Sequence, residues 1–71
     1  MDKKISDFII FCIEIYKYEK KINGEEVYKI FENYGLLKYL SDGYDILHTQ
    51  GEKWLLEDMN EFLKERGYMQ K

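Results

Sequence analysis

The 71-residue sequence predicts an all-α protein, a small bundle of three to four helices in a single domain over residues 1–71. Apolar residues recur at three- and four-residue spacing along four segments, and this is the period of an α-helix. Proline is absent, and four of the five glycines fall where a helix should start or stop. The connections are short, which favours antiparallel neighbours packed as a bundle.

The first helix is predicted over residues 5–21, where Ser6 or Asp7 is suited to cap the start. Ile10, Phe11 and Ile13 point off the main stripe, so this helix either is central in the domain or carries an outer apolar patch, which usually marks a contact. The stripe consists of Ile5, Phe8, Ile9, Cys12, Ile15 and Tyr16.

A buried strand is the competing interpretation of residues 8–16, because this run is rich in β-branched and aromatic residues. Helix is preferred, since the apolar pattern is long and no partner strand is found elsewhere in the sequence.

The second helix is predicted over residues 24–34. Asn23 is the expected cap, and Glu26 three residues later completes the pattern of a capping box. Gly35 is a typical left-handed stop.

A third helix is predicted over residues 36–47, because Leu36, Leu40 and Leu47 continue on one helical face. Gly43 falls on the same side and would allow a close backbone approach. The alternative is a turn at residues 41–43 that divides this helix into two short pieces.

The fourth helix is predicted over residues 50–66, and Gly67 is expected to end it. Thr49 and Glu52 have the spacing of a Thr-x-x-Glu capping box, so Thr49 is the predicted cap. The predicted buried stripe is Leu55, Leu56, Met59, Phe62 and Leu63.

Composition argues against several classes of site. One cysteine excludes a disulfide within the chain and fits a reducing, cytoplasmic setting. One cysteine and one histidine fall short of the four ligands of a structural zinc site, so no metal or cofactor is expected. No apolar run is long enough to span a membrane, so no membrane partner is expected. A single arginine and a net charge of −3 disfavour nucleic acid.

His48, the only histidine, is the first candidate for chemistry. Catalysis would need an orienting carboxylate, for which Asp45 is the nearest choice, and a nucleophile, which is missing nearby. We therefore expect no enzyme, and we expect His48 to hydrogen-bond the chain at this turn or to contact a partner. A small ligand-binding or catalytic domain using His48 is the less favoured alternative.

A non-enzymatic protein-binding module is the favoured function. A domain of this length is marginally stable alone, and seven tyrosines suit an interface. Glu57, Glu61 and Glu65, with Asp58 alongside, form an acidic ridge, which is either a solvated face or a docking surface that speeds association with a basic partner. The alternative is a homo-oligomer whose own subunits cover the apolar patch. The predicted contact residues are Ile10, Phe11, Tyr18, Tyr44, His48 and Trp54.

Three runs carry a resemblance to a known family: residues 11–16, residues 34–37 and, most specifically, Tyr44-Asp45-Ile46-Leu47-His48-Thr49-Gln50-Gly51. Over about residues 6–67 the chain resembles a family of short uncharacterised bacterial proteins, a domain of unknown function with a Tyr-Asp-x-Leu-His-Thr-x-Gly motif. Members of that family look like gene neighbours of ADP-ribosyltransferase-like toxins. The resemblance implies that this chain is the antitoxin or accessory partner of a toxin-like enzyme.

Overall fold

A computed structural model describes residues 2–68, and five α-helices make up most of this range. They are α1 (Lys3–Lys20), α2 (Gly24–Asn33), α3 (Leu36–Asp42), α4 (Tyr44–Leu47) and α5 (Glu52–Glu65). The described residues contain no strand, so the all-α prediction is confirmed and the strand interpretation of residues 8–16 is wrong. The helix count exceeds the predicted three to four, because the third predicted helix is divided in two.

Helix α1 begins two residues earlier than predicted. Asp2 is the N-cap in place of Ser6 or Asp7, and its carboxylate accepts a hydrogen bond from the Lys4 N–H at 3.1 Å. Lys21 ends the helix in a left-handed conformation with φ 58°. An acidic cap suits the positive end of the helix dipole, so the earlier start is favourable.

The core lies around α1, which packs against α2, α3 and α5. Its 18 residues span about 27 Å at 1.5 Å per residue, most of the 32 Å longest dimension of the molecule. Within residues 2–68, no polar or charged residue is buried. The buried residues are Phe8, Ile9, Cys12, Ile15, Tyr16, Val27, Ile30, Phe31, Leu36, Leu40, Leu47, Leu55, Met59 and Leu63.

Helix α2 follows the prediction closely. The Asn23 side chain accepts a hydrogen bond from the Glu26 N–H at 2.8 Å, as expected of its cap. Gly35 has φ 79°, a left-handed conformation that the glycine adopts without strain. The chain therefore turns directly from α2 into α3.

The predicted single helix over residues 36–47 is wrong, and the two short pieces of the alternative are present, but the break is confined to Gly43 because Ser41 and Asp42 are helical. Gly43 separates α3 from α4. A Cβ built on Gly43 would lie 2.9 Å from Leu47 Cδ1 and 3.2 Å from the Tyr39 carbonyl oxygen. The expected close approach therefore exists, and it allows the buried Leu47 side chain to fold back against the bend.

The predicted cap of the last helix, Thr49 with Glu52, is also wrong. Helix α5 begins at Glu52, its N-cap is Gly51 in an extended conformation, and no side chain caps it. The Thr49 hydroxyl instead donates to the Ile46 carbonyl at 2.8 Å. Thr49 therefore bonds to the last turn of α4, and it lies two residues before Gly51, the N-cap of α5.

The end of α5 confirms the expected stop at Gly67, which has φ 94°. The Tyr68 N–H donates to the Leu63 carbonyl at 2.9 Å across this turn. The Tyr68 ring meets Tyr34 edge-on at 5.3 Å, which connects the end of α5 to the end of α2.

Candidate functional site

The turn segment, residues 44–51, contains the only histidine and connects the core to α5. His48 Nδ1 lies 2.6 Å from the Tyr44 carbonyl oxygen. A carbonyl oxygen only accepts hydrogen bonds, so Nδ1 carries the proton and donates. In the neutral ring, Nε2 is then left as an acceptor. The expectation that His48 hydrogen-bonds the chain at this turn is confirmed.

The His48 ring also stacks on the Tyr44 ring, with centroids 4.3 Å apart and planes 8° from parallel. The half-buried Tyr44 ring in turn meets Phe8 of α1 edge-on at 5.6 Å. Contact with Phe8 therefore positions the Tyr44 ring against the core, and the Tyr44 ring in turn supports the exposed His48 ring. Together they form a small aromatic platform that can accept a hydrogen bond and stack against a partner.

The structure places Cys12 in the core and Asp45 on the surface. The ring of His48 is oriented by a backbone carbonyl, while Asp45 is exposed. Cys12 is fully buried, and desolvation raises the pKa of its thiol to about 12, so it is held as an unreactive thiol. Within residues 2–68, no group of three or more His, Cys, Asp and Glu side chains is placed to hold a metal ion.

The outer face of α1 carries large apolar side chains that the core does not use. Ile10 is 57% exposed, Phe11 43% and Tyr18 75%. The expectation that Ile10 and Phe11 lie off the buried stripe is confirmed. Ion pairs lie before and after them on the same helix, Lys3 with Asp7 at 3.0 Å and Lys17 with Glu14 at 3.8 Å.

The outer face of α5 combines an aromatic residue with the acidic ridge. Trp54 is 43% exposed. Residues three, seven and eleven positions later lie on the same helical face, and these are the exposed Glu57, Glu61 and Glu65. Asp58 lies apart from this ridge, because it is half-buried and accepts a hydrogen bond from the Tyr39 hydroxyl at 2.7 Å.

The structure brings only some of the six predicted contact residues together. Tyr44 and His48 share one ring stack. Ile10, Phe11 and Tyr18 lie on α1, and Trp54 lies on α5.

The concave surfaces that the sequence did not predict include two that are assembled from distant parts of the chain. The first is a cleft of about 550 Å³ between α3 and α5, here called the α3–α5 cleft. It is lined by Gly35, Lys38, Tyr39, Asp42, Gly43, Phe62 and Arg66. The only sequence signal for it was the single arginine one helical turn after Phe62. The second, here called the apolar groove, is lined by Ser6, Ile9, Ile10, Ile13, Tyr28 and Leu37.

Comparison with known proteins places the whole bundle in one family. Within residues 2–68, no helix is both long enough and apolar enough to cross a membrane. No curated protein and no solved structure matches the chain. A family model described as "Protein of unknown function (DUF3791)" matches residues 7–66, which covers all of α2 to α5 and most of α1. The chain therefore belongs to the DUF3791 family of proteins of unknown function.

Proposed function

We propose that this chain is a non-enzymatic module that binds a protein partner in the cytoplasm. The observation that carries the proposal is the set of large apolar side chains left outside a complete core. Ile10, Phe11 and Tyr18 on α1 and Trp54 on α5 are all exposed, although the core beneath them is closed and wholly apolar within the described residues. Exposed apolar surface of this kind typically marks a contact.

Phe11 and Trp54 are the strongest anchors in this set. Each is 43% exposed, so more than half of the side chain already rests on the protein. A side chain held in this way loses less conformational entropy on binding than a free one. Aromatic anchors that enter a partner's pocket typically contribute about 2 kcal/mol or more to binding.

The acidic ridge would help select the partner. Glu57, Glu61 and Glu65 are exposed in line with Trp54, and the ion pairs of the described residues do not include them. Such a row of charges speeds association with a basic surface more than it tightens the complex. A partner with a basic patch beside an apolar pocket would match both features of α5.

The partner we propose is a toxin-like enzyme encoded beside this chain, for which the chain serves as antitoxin or accessory subunit. This part rests on the resemblance of the Tyr44–Gly51 run to proteins that look like neighbours of ADP-ribosyltransferase-like toxins. A non-enzymatic role is supported by the platform itself, where His48 donates to a backbone carbonyl and Cys12 is buried away from it. Nucleic acid remains a disfavoured partner, given the net charge of −3.

Co-expression with the product of the adjacent gene tests the proposal. We expect the two proteins to co-purify at fixed stoichiometry, and Trp54→Ala or Phe11→Ala to weaken the complex by roughly 30-fold in Kd, the equivalent of about 2 kcal/mol. Tyr28→Ala is the matched control, because Tyr28 is an aromatic side chain of similar exposure, 46%, on a different helix. A chain that elutes alone, or a complex indifferent to both substitutions, would contradict the proposal.

Self-association is the alternative that a specific feature favours. The apolar groove joins α1, α2 and α3, and Ile10 and Tyr28 are exposed beside it. Sedimentation over a range of concentrations separates the two ideas. A dimer that dissociates on Tyr28→Ala and keeps its affinity on Trp54→Ala would favour self-association.

A further inference from the structure

The α3–α5 cleft has a chemistry that differs from the rest of this acidic protein. Its lining contains two cations, Lys38 and Arg66, and one carboxylate, Asp42. Lys38 is already paired with Asp42 at 2.9 Å. Arg66 is therefore the unmatched charge of the cleft.

Arg66 is held in a geometry suited to recognition. Its guanidinium carbon lies 4.4 Å from the centre of the Phe62 ring. Gly35 also lies close to the guanidinium, because a Cβ built on this glycine would be 3.6 Å from Arg66 Nη1. Its backbone N–H donates to the Phe62 and Leu63 carbonyls at 3.2 and 3.1 Å, which fixes the residue at the end of α5.

The hydrogen-bond donors of the guanidinium are not used in an ion pair within the described residues. Its central carbon lies over the Phe62 ring, and its five N–H donors lie in one plane around that carbon. Throughout residues 2–68, every ion pair is formed by a lysine, so no carboxylate of this range occupies the arginine. A planar fork held in place by an aromatic ring matches a carboxylate with two parallel hydrogen bonds.

The remaining lining defines what else the ligand should carry. The Tyr39 and Phe62 rings lie 4.7 Å apart at 31°, giving the cleft an aromatic wall. Because Asp42 already neutralises Lys38, Arg66 is the one unpaired cation of this lining among the described residues, so it matches one negative charge and leaves the second charge of a phosphate unmatched near Asp58. A singly charged carboxylate next to an apolar group fits this arrangement better than a phosphate.

We propose that the α3–α5 cleft binds a carboxylate side chain of the protein partner, with the Arg66 guanidinium as the recognising group and the Tyr39–Phe62 wall receiving the adjacent apolar atoms. This inference rests on the proposed protein-binding function and names the chemistry of one contact within it. Arg66 is placed to act as a specificity residue, since a partner lacking the carboxylate would leave the fork unsatisfied.

Side-chain NMR of Arg66 tests the cleft directly, because the only arginine of the sequence gives a single Nε–H signal. Phenylacetate is the probe, and the neutral phenylacetamide is its matched control. We expect a saturable shift of the Arg66 signal with phenylacetate and none with the amide. Absence of that shift, or an equal shift with the amide, overturns the proposal. Tighter binding of phenyl phosphate than of phenylacetate also overturns the carboxylate assignment.

Variants then separate recognition from general electrostatics, with binding followed through the backbone amide signals of Gly35 and Tyr39. Arg66→Lys retains the charge and removes the fork, so we expect at least tenfold weaker phenylacetate binding with an unchanged amide spectrum elsewhere. Lys64→Gln removes one charge from α5 outside the cleft lining and should leave binding unchanged. Equal effects of the two substitutions would reduce the cleft to a nonspecific positive potential and overturn the proposal.

Co-purification distinguishes failure of this inference from failure of the proposed function. If the complex survives Arg66→Glu with unchanged affinity but is weakened by Trp54→Ala, the cleft is not a partner site and the binding function stands. If the chain binds phenylacetate through Arg66 but purifies alone, the carboxylate site is real and the protein-partner proposal fails. We expect Arg66→Glu to weaken the complex at least tenfold.

Discussion

Gly43→Ala should destabilise the protein, although the glycine lies at the end of a helix and has a negative φ. Its backbone angles, φ −96° and ψ 11°, are accessible to alanine. By conformational entropy alone, the substitution would stabilise by about 0.4–1 kcal/mol, because alanine restricts the unfolded chain. The sign therefore depends on the space around the new methyl group.

That space is already filled. The added Cβ would lie 2.9 Å from Leu47 Cδ1, 3.3 Å from Leu47 Cγ and 3.2 Å from the Tyr39 carbonyl oxygen. Leu47 is only 5% exposed, so its side chain must move within the core, and the Tyr39 contact involves backbone. Overpacking of this kind costs about 1–3 kcal/mol. Taking the middle of each range, we expect a net destabilisation of about 1.3 kcal/mol after the entropic gain is subtracted.

Urea denaturation followed by circular dichroism measures the effect, and Gly24→Ala is the matched control. A Cβ on Gly24 would lie 3.8 Å from Lys17 Cδ, an ordinary contact at the first position of α2. The control should therefore be stabilised by about 0.4–1 kcal/mol. A Gly43→Ala variant as stable as the wild type would show that the bend relaxes freely, and the argument from the Leu47 contact would be refuted.

Three other measurements test separate parts of the structure. Gly51→Ser should stabilise α5 by about 0.3–1 kcal/mol in urea denaturation, because Gly51 is an N-cap without a side-chain hydrogen bond; an unchanged midpoint would contradict this. Cys12 should react with a disulfide reagent roughly a thousandfold more slowly in the folded chain than in urea, because burial raises its pKa from 9 to about 12 and hides the sulfur; rapid labelling would show that α1 opens. Stability should fall between pH 10 and about 12, because burial, with the bond to Asp58, raises the pKa of Tyr39 from 10 to about 12. The folded chain then keeps a proton that the unfolded chain releases. Tyr39→Phe should remove only part of the decline, because burial raises the pKa of Tyr16 and of Cys12 to about 12 as well.

Much of the fold was predictable because it depends on local patterns. The predicted stripes of α1 and α5 follow helical spacing, and most of their members are buried, whereas Ile5, Leu56 and Phe62 are only partly buried. Asn23 caps α2 as expected, and Gly35 and Gly67 adopt the left-handed conformation that glycine favours. In each of these cases, the residues that carry the sequence signal lie within four residues of the structural feature that they predict.

The errors arise where two local signals competed. Apolar spacing through Leu36, Leu40 and Leu47 favoured one helix, but the tight contact of Leu47 with Gly43 shows that the bend itself buries this leucine. Thr49 matched a capping box, yet its hydroxyl closes the preceding helix. Both outcomes depend on where the chain turns, which spacing alone does not specify.

The candidate sites also differ in whether they depend on local sequence patterns or on how distant parts of the chain pack. The exposure of Phe11 and Trp54 could be inferred from their places off the buried stripes, because each helix already has a full apolar face. The α3–α5 cleft could not, since the Arg66–Phe62 stack matters only once Tyr39 and Gly35 are packed beside it.

The turn segment changes what its motif means for function. Tyr44 supports His48, the His48 ring and Thr49 both bond to α4 carbonyls, Leu47 is buried and Gly51 caps α5. Building the bend and the start of α5 thus accounts for most of the motif without any chemistry. Its exposed side chains include Asp45, Ile46 and His48, and the bend does not require the first two to be exposed. For the proposed binding function, contacts are therefore expected on α1 and α5, where Phe11 and Trp54 are exposed outside the buried core.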